Sequence, residues 1–142
     1  MSPFPETVRP GASVQEAAAR MRAFDVGFLP VVSGEEAVGV VTDRDLVTRV
    51  VGCGLDGRRT TVADVMTTNV ICCEATASID TVARTMAVLQ VRRVLVVGPG
   101  RRFLGVIGLA DLARAGHETL AALILGFTSR VLPSIPPVLP GL

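Results

Sequence analysis

Val14, Ala17, Ala18 and Met21 are apolar at i, i+3, i+4 and i+7, one stripe of an amphipathic helix. Ser13 precedes the stripe and Glu16 stands three residues on, a capping-box signature, so the spacing predicts a helix reaching Phe24. Ahead of it, Glu6 to Arg9 reads as a short extended segment stopped by Pro10-Gly11. Behind it, the apolar run Phe28 to Val32 and the β-branched run Ala37 to Thr42 flank Ser33-Gly34-Glu35-Glu36, the pattern of an antiparallel hairpin. Asp43 to Val51 is predicted helical, with Leu46, Val47 and Val50 on one face and Gly52 as its stop. The order is β-α-β-β-α.

The pattern then returns. Ser13, Val14, Ala17, Ala18 and Met21 recur 65 residues later as Ser78, Ile79, Val82, Ala83 and Met86. GVVTDRD from Gly39 recurs 66 residues later as GVIGLAD from Gly105, and the one-residue difference falls in the hairpin turn. The second copy reads Val70 to Cys73 extended, Ser78 to Leu89 helix, Val94 to Val97 strand, Gly98-Pro99-Gly100 turn, Phe103 to Gly108 strand and Leu109 to Ala115 helix. A repeat of this length means one supersecondary unit used twice. A unit of about 65 residues buries little core alone, so the copies are expected to pack on each other. The division is repeat one over 1–61, repeat two over 62–116, and a C-terminal helix (His117 to Leu125) with a Pro-rich tail over 117–142. Val62 to Met66 is expected as one helical turn introducing the second repeat, with no counterpart before the first.

Charge narrows the field. The 142 residues carry 14 basic and 13 acidic side chains, so nothing electrostatic points to nucleic acid or an anionic membrane. Every basic residue is Arg, which suits bidentate phosphate contacts but is more simply the outcome of GC-rich codon usage. Apolar residues make up 49 % and mean hydropathy is +0.53, a surplus expected to cover a subunit interface. No run approaches the ~20 apolar residues of a membrane span, and the N-terminus lacks the features of a signal peptide. The expected location is cytoplasmic.

Cys53, Cys72 and Cys73 fit neither a metal pattern nor a disulfide framework, leaving inert buried thiols or a redox role. His117 is the only histidine, and no nucleophile–base pair or metal set can be assembled, so no catalytic or metal residue is expected. The chemistry concentrates at the strand-to-helix junction Thr42-Asp43-Arg44-Asp45. A hydroxyl and a carboxylate three apart make a plain helix cap. The same junction offers free N–H groups, and a carboxylate there is also an acceptor for paired ribose hydroxyls. In the second copy Asp111 keeps the carboxylate while Gly108 replaces Thr42.

The β-α-β-β-α order, the helix ending in Met21, DVGFLPVV (Asp25 to Val32) and the Gly39, Thr42, Asp45 run resemble the CBS domain, and the doubled set resembles a tandem CBS pair, or Bateman module. FDVGFLP and LQVRRV are also similar to small stand-alone bacterial CBS-pair proteins. The resemblance implies an α/β (α+β) fold of two repeats packed sheet to sheet about a pseudo-twofold axis, with two clefts for AMP, ADP, ATP or S-adenosylmethionine. By position, it implies a first cleft of Thr7 and Val8 on the leading strand, and Gly27, Phe28, Leu29 and Pro30 around the base. Thr42 would meet ribose or phosphate, Asp45 the ribose hydroxyls and Arg44 a phosphate. The second cleft would use Ile71, Cys72, Arg92, Arg93, Val94, Gly108 and Asp111. Gly108 lacks the hydroxyl of Thr42, and Leu109-Ala110 replace Asp43-Arg44, so the first cleft is expected to be the better nucleoside site. Arg92 and Arg93 replace Gly27 and Phe28, either as phosphate ligands or as a solvated strand edge.

The implied protein is a non-enzymatic sensor that binds an adenosyl ligand, forms a homodimer and signals to another protein. Two other readings stand beside it: a structural CBS pair in which Thr42 and Asp45 only cap a helix, and a thiol-based redox module.

Overall fold

The computed structural model describes residues 6–108, 111 and 112. The helix expected at His117 to Leu125, the Pro-rich tail and most of Leu109 to Ala115 lie outside the described residues. Repeat one holds α1 (Val14–Phe24), β1 (Phe28–Ser33), β2 (Glu36–Thr42) and α2 (Asp43–Leu46), which continues as a π-helical turn over Val47–Val51. A short α3 (Val62–Val65) follows, then β3 (Cys72–Glu74), α4 (Ile79–Leu89), β4 (Arg93–Val97), a 3₁₀ turn at Pro99–Arg101 and β5 (Phe103–Gly108).

The two long helices are copies to the level of single dihedrals. Ser13 and Ser78 both sit at φ −73°, ψ 154° and accept from the N–H three residues on. Asp25 and Gln90 both close their helices in the left-handed region, at φ 53° and 57°. The capping box expected at Ser13 is only half made, because the Glu16 carboxylate turns to Arg20 at 3.5 Å instead.

β1 and β2 pair antiparallel, and so do β4 and β5, each hairpin with one bulge at the same place, Val31/Val32 and Val96/Val97. The bulge is therefore part of the repeated unit, and the extra residue of the second copy lies in its longer turn. β3 runs parallel to β4. Its counterpart in repeat one is a single parallel bridge from Val8 to Val31, with Val8 N–H donating to Pro30 O at 3.0 Å. Cys73 pairs with Val96 as Val8 pairs with Val31, so Cys72 stands where Thr7 does and Ile71 where Glu6 does. The residues carried to the second cleft, Ile71 and Cys72, are thus one position out of register with Thr7 and Val8.

Strand alternation divides the core in two. Leu29, Val31 and Val41 point to the helices of repeat one, where they meet Val14, Ala17 and Met21. Phe28, Ala37 and Val40 join the second core, with Met86, Val94 and Leu95 of repeat two. The repeats therefore share apolar surface through their sheets. The hairpins also join: Phe103 N–H donates to Glu35 O at 2.8 Å, and Arg101 Nε to Ala37 O at 3.3 Å.

One expectation is corrected. Val47 is 61 % exposed, whereas Leu46 and Val50 are buried. The Thr48 hydroxyl donates to Arg44 O, and the Gly52 N–H reaches back five residues to Val47 O. This widened winding turns Val47 outward. The helical turn expected at Val62 to Met66 forms as α3, and it packs Val62 and Val65 against the core of repeat one, its first N–H groups donating to Ala12 O and Pro10 O.

Candidate functional site

The junction between β2 and α2 forms a reciprocal cap. Thr42 N–H donates to Asp45 Oδ2 at 3.0 Å, and Asp45 N–H to Thr42 Oγ1 at 3.1 Å. Both residues are buried, Asp45 to 6 % exposure. The remaining contacts of this carboxylate are long: Thr67 Oγ1 at 3.4 Å from each oxygen, and Arg49 Nη1 at 3.7 Å from Oδ1. Among the described residues, then, Oδ1 has no donor nearer than 3.4 Å. A buried carboxylate can accept about four hydrogen bonds, so this one has capacity to spare.

Thr67 was not singled out by sequence. It is 4 % exposed and exchanges two backbone bonds with Val40, at 2.9 and 2.8 Å, which lay the inter-repeat linker against β2. Its only sequence signal is a hydroxyl just after the turn that introduces the second repeat, and polar residues in connecting segments are too common to mark a site.

The other candidates of the first cleft fall into two groups. Gly27 stands beside the junction: Asp43 N–H donates to Gly27 O at 2.9 Å, and a Cβ on Gly27 would meet Asp43 Oδ2 at 2.6 Å. Arg44 is exposed, its backbone N–H taken by Asp43 Oδ1. Thr7 is half-buried, and its carbonyl accepts from Arg20 Nη1 at 3.3 Å. By contrast Val8, Phe28, Leu29 and Pro30 are buried. Alternation turns Val8 and Leu29 into the helix-facing core, so these residues can meet a ligand only through backbone groups.

In repeat two, Gly108 N–H donates to Asp111 Oδ2 at 2.8 Å, repeating the Thr42–Asp45 bond without the hydroxyl. Val94 is a core residue, Ile71 lends its carbonyl to Leu95 N–H, and Arg92 is exposed. Arg93 crosses the seam, with its guanidinium carbon 5.3 Å from the centroid of the Phe28 ring, the residue it replaces in the repeat. Burial pushes this guanidinium below its ordinary value; Arg92 adds to the shift, and Asp43 opposes it. Two equivalent positions thus meet face to face, and the cation lies over Phe28 within electrostatic reach of Asp43.

Cavities of about 690 and 420 Å³ lie away from the Thr42–Asp45 and Gly108–Asp111 junctions, although Cys72, a candidate of the second cleft, lines the larger. The larger is lined by Cys72 to Thr76 and Val97 to Arg101, at the far end of β4 from Gly108; the smaller lies between α1, the π turn and residues 55–58. Cys72 and Cys73 are half-buried and Cys53 is exposed, all as free thiols. Burial raises the Cys72 thiol against the nearby Arg101, and raises Cys73 with a further push from Cys72. Because the thiolate is the reacting form, Cys53 should take up iodoacetamide fastest near pH 8, as read by peptide mass spectrometry. Equal rates at all three would contradict the burial. The folded chain holds these two protons more tightly than the unfolded chain, so this contribution to stability is complete at neutral pH. It falls away as pH rises past the ordinary thiol value of about 8.5.

Among the described residues no group of three His, Cys, Asp or Glu is placed to hold a metal, and no helix is long and apolar enough to cross a membrane.

Comparison with known proteins is consistent across sequence and structure. The CBS domain family matches residues 1–52 and 62–118. CBS domain-containing protein YhcV of Bacillus subtilis (strain 168) is 36 % identical over 107 residues, 75 % of each chain. The crystal structure of Hypoxic Response Protein I with two coordinated zinc ions superposes with a TM-score of 0.70 at 32 % identity, covering 80 % of this chain and 92 % of that one. CBSX2 in complex with AMP superposes with a TM-score of 0.68 at 25 % identity, over 84 % and 93 % of the two chains.

Proposed function

The chain belongs to the CBS-domain family, and on that footing we propose that it is a non-enzymatic sensor that binds an adenosyl ligand where its repeats meet. The observation that carries this reading is the buried Asp45 carboxylate, with one close donor and spare acceptor capacity beside Thr42. Paired ribose hydroxyls are donors of the right kind for it. Arg93, over Phe28 and near Asp43, and the exposed Arg44 supply positive charge for a phosphate, which favours AMP, ADP or ATP over the cationic S-adenosylmethionine. That CBSX2 was crystallised with AMP supports the same ligand class.

A ligand held between repeats favours one relative arrangement of them, and the readout is contact with another protein. Exposed Phe24, Val47, Val51 and Val88 offer apolar surface for a homodimer. A cytoplasmic setting completes this reading.

Calorimetric titration tests it. AMP should give saturable heat and bind more tightly than adenosine or S-adenosylmethionine; no heat with any of them at millimolar concentration would end the proposal. One specific observation favours the alternative of a structural pair: Phe28, Leu29 and Pro30 are buried, and the Thr42–Asp45 cap is complete without a ligand. On that reading the titration is silent.

A further inference from the structure

The Asp45 carboxylate is tied to the linker between the repeats as well as to its own helix. Arg49 stands one turn beyond Asp45, and its Nη1 donates to Val65 O at 2.9 Å, to Met66 O at 3.3 Å and to Thr67 Oγ1 at 3.3 Å. It thereby caps the C-terminal carbonyls of α3 with a cation. The same nitrogen is 3.7 Å from Asp45 Oδ1, and the Thr67 hydroxyl it touches donates to Asp45 in turn. Arg49 is about half exposed, while Asp45 and Thr67 are buried. Downstream of Thr67 the chain passes within a few residues into β3 of repeat two. One guanidinium thus holds the linker at the point where it leaves repeat one, and leans on the carboxylate assigned to ribose.

We propose that Arg49 and Thr67 form a clamp that competes with the ligand for Asp45, so that occupancy of the site loosens the linker leading to repeat two. This rests on the ribose role proposed for Asp45. The chemistry is an exchange of donors. Two ribose hydroxyls would give the carboxylate short bonds in place of the 3.4 Å and 3.7 Å contacts it now receives. The Thr67 hydroxyl and the Arg49 guanidinium then lose their hold on Asp45. The backbone pairing of Thr67 with Val40 and the Arg49 bonds to Val65 O and Met66 O remain, so the linker loosens at Thr67 rather than detaching. Coupling is reciprocal, and the clamp in turn lowers affinity for the ligand.

The test uses the full chain, with AMP and its 2′,3′-dideoxy analogue as probes. Arg49→Met and, independently, Thr67→Val remove one internal competitor each, and Thr67→Val keeps the side-chain shape. Each should bind AMP about five- to tenfold more tightly than the parent, with no gain for the dideoxy analogue. In the parent, AMP should speed hydrogen exchange of the amides from Thr68 to Ile71; in Arg49→Met that exchange should be fast already and unmoved by AMP. Weaker AMP binding in both variants, an equal gain with the dideoxy analogue, or an AMP effect on exchange that survives Arg49→Met would overturn the clamp while leaving the sensor reading intact. Failure of the parent to bind either probe would remove both.

Discussion

Asp45→Ala should cost about 2 kcal/mol of stability and, on the proposed reading, abolish binding of any adenosyl ligand. Sequence alone allowed the carboxylate to be read as either cap or ribose acceptor. The structure shows the carboxylate to be a buried part of the cap and of a contact to the linker. Removing the side chain strips the acceptor from Thr42 N–H, from the Thr67 hydroxyl and from Arg49 together, all but the last being buried. Asp45→Asn separates the effects. It keeps one carbonyl oxygen for Thr42 N–H, so it should recover most of the stability, but it loses the charge and the second acceptor needed for paired hydroxyls. Urea denaturation and calorimetry read the two quantities independently. An alanine variant as stable as the parent would contradict the buried network, and one binding AMP as tightly as the parent would contradict the site.

Gly39→Ala should be among the most damaging single-methyl changes in the chain, at about 3 kcal/mol. A Cβ at Gly39 would stand 2.6 Å from Thr67 O and 3.2 Å from Met66 Sδ. The first obstacle is backbone, held to Val40 by two hydrogen bonds, and cannot rotate away as a side chain would. The linker has to lift from β2, weakening both bonds and the Thr67 contact with Asp45. Gly11→Ala is the control, since nothing lies within 4 Å of its added methyl; it should stay within about 0.5 kcal/mol of the parent. Equal urea midpoints for the two variants would mean that the linker is not packed where the structure puts it.

The repeat, the two long helices and both hairpins were legible because their signals are local. Ser13 and Ser78 announce helix starts, the i, i+3, i+4 stripes announce a buried face, and Gly34 and Gly98-Pro99-Gly100 announce turns. Less legible was whatever depends on residues far apart in the chain. Val47 fits a helical stripe, and only the π winding, set by the Thr48 hydroxyl and Gly52, turns it out. Val62 to Val65 open the second repeat in sequence yet pack in the first core, with Ala12 and Pro10 offering their carbonyls. At the candidate site, the pairing of Thr42 with Asp45 was readable from its spacing. Thr67 and Arg49 were not, since no pattern marks a hydroxyl 22 residues from its carboxylate. Nor does any local signal say that Arg93 lies over Phe28; that contact exists because two equivalent positions meet across the seam.

A titration of labelled protein with AMP, followed through its backbone amide resonances, tests most directly whether the repeats meet to hold an adenosyl ligand. Gly27, Thr42, Asp45 and Arg93 should shift together and saturate with one affinity, although they come from both copies. Shifts confined to Cys72–Thr76 and Gly98–Arg101 would place the ligand in the cavity at the other end of β4, and no shifts at millimolar AMP would leave the junction a helix cap and nothing more.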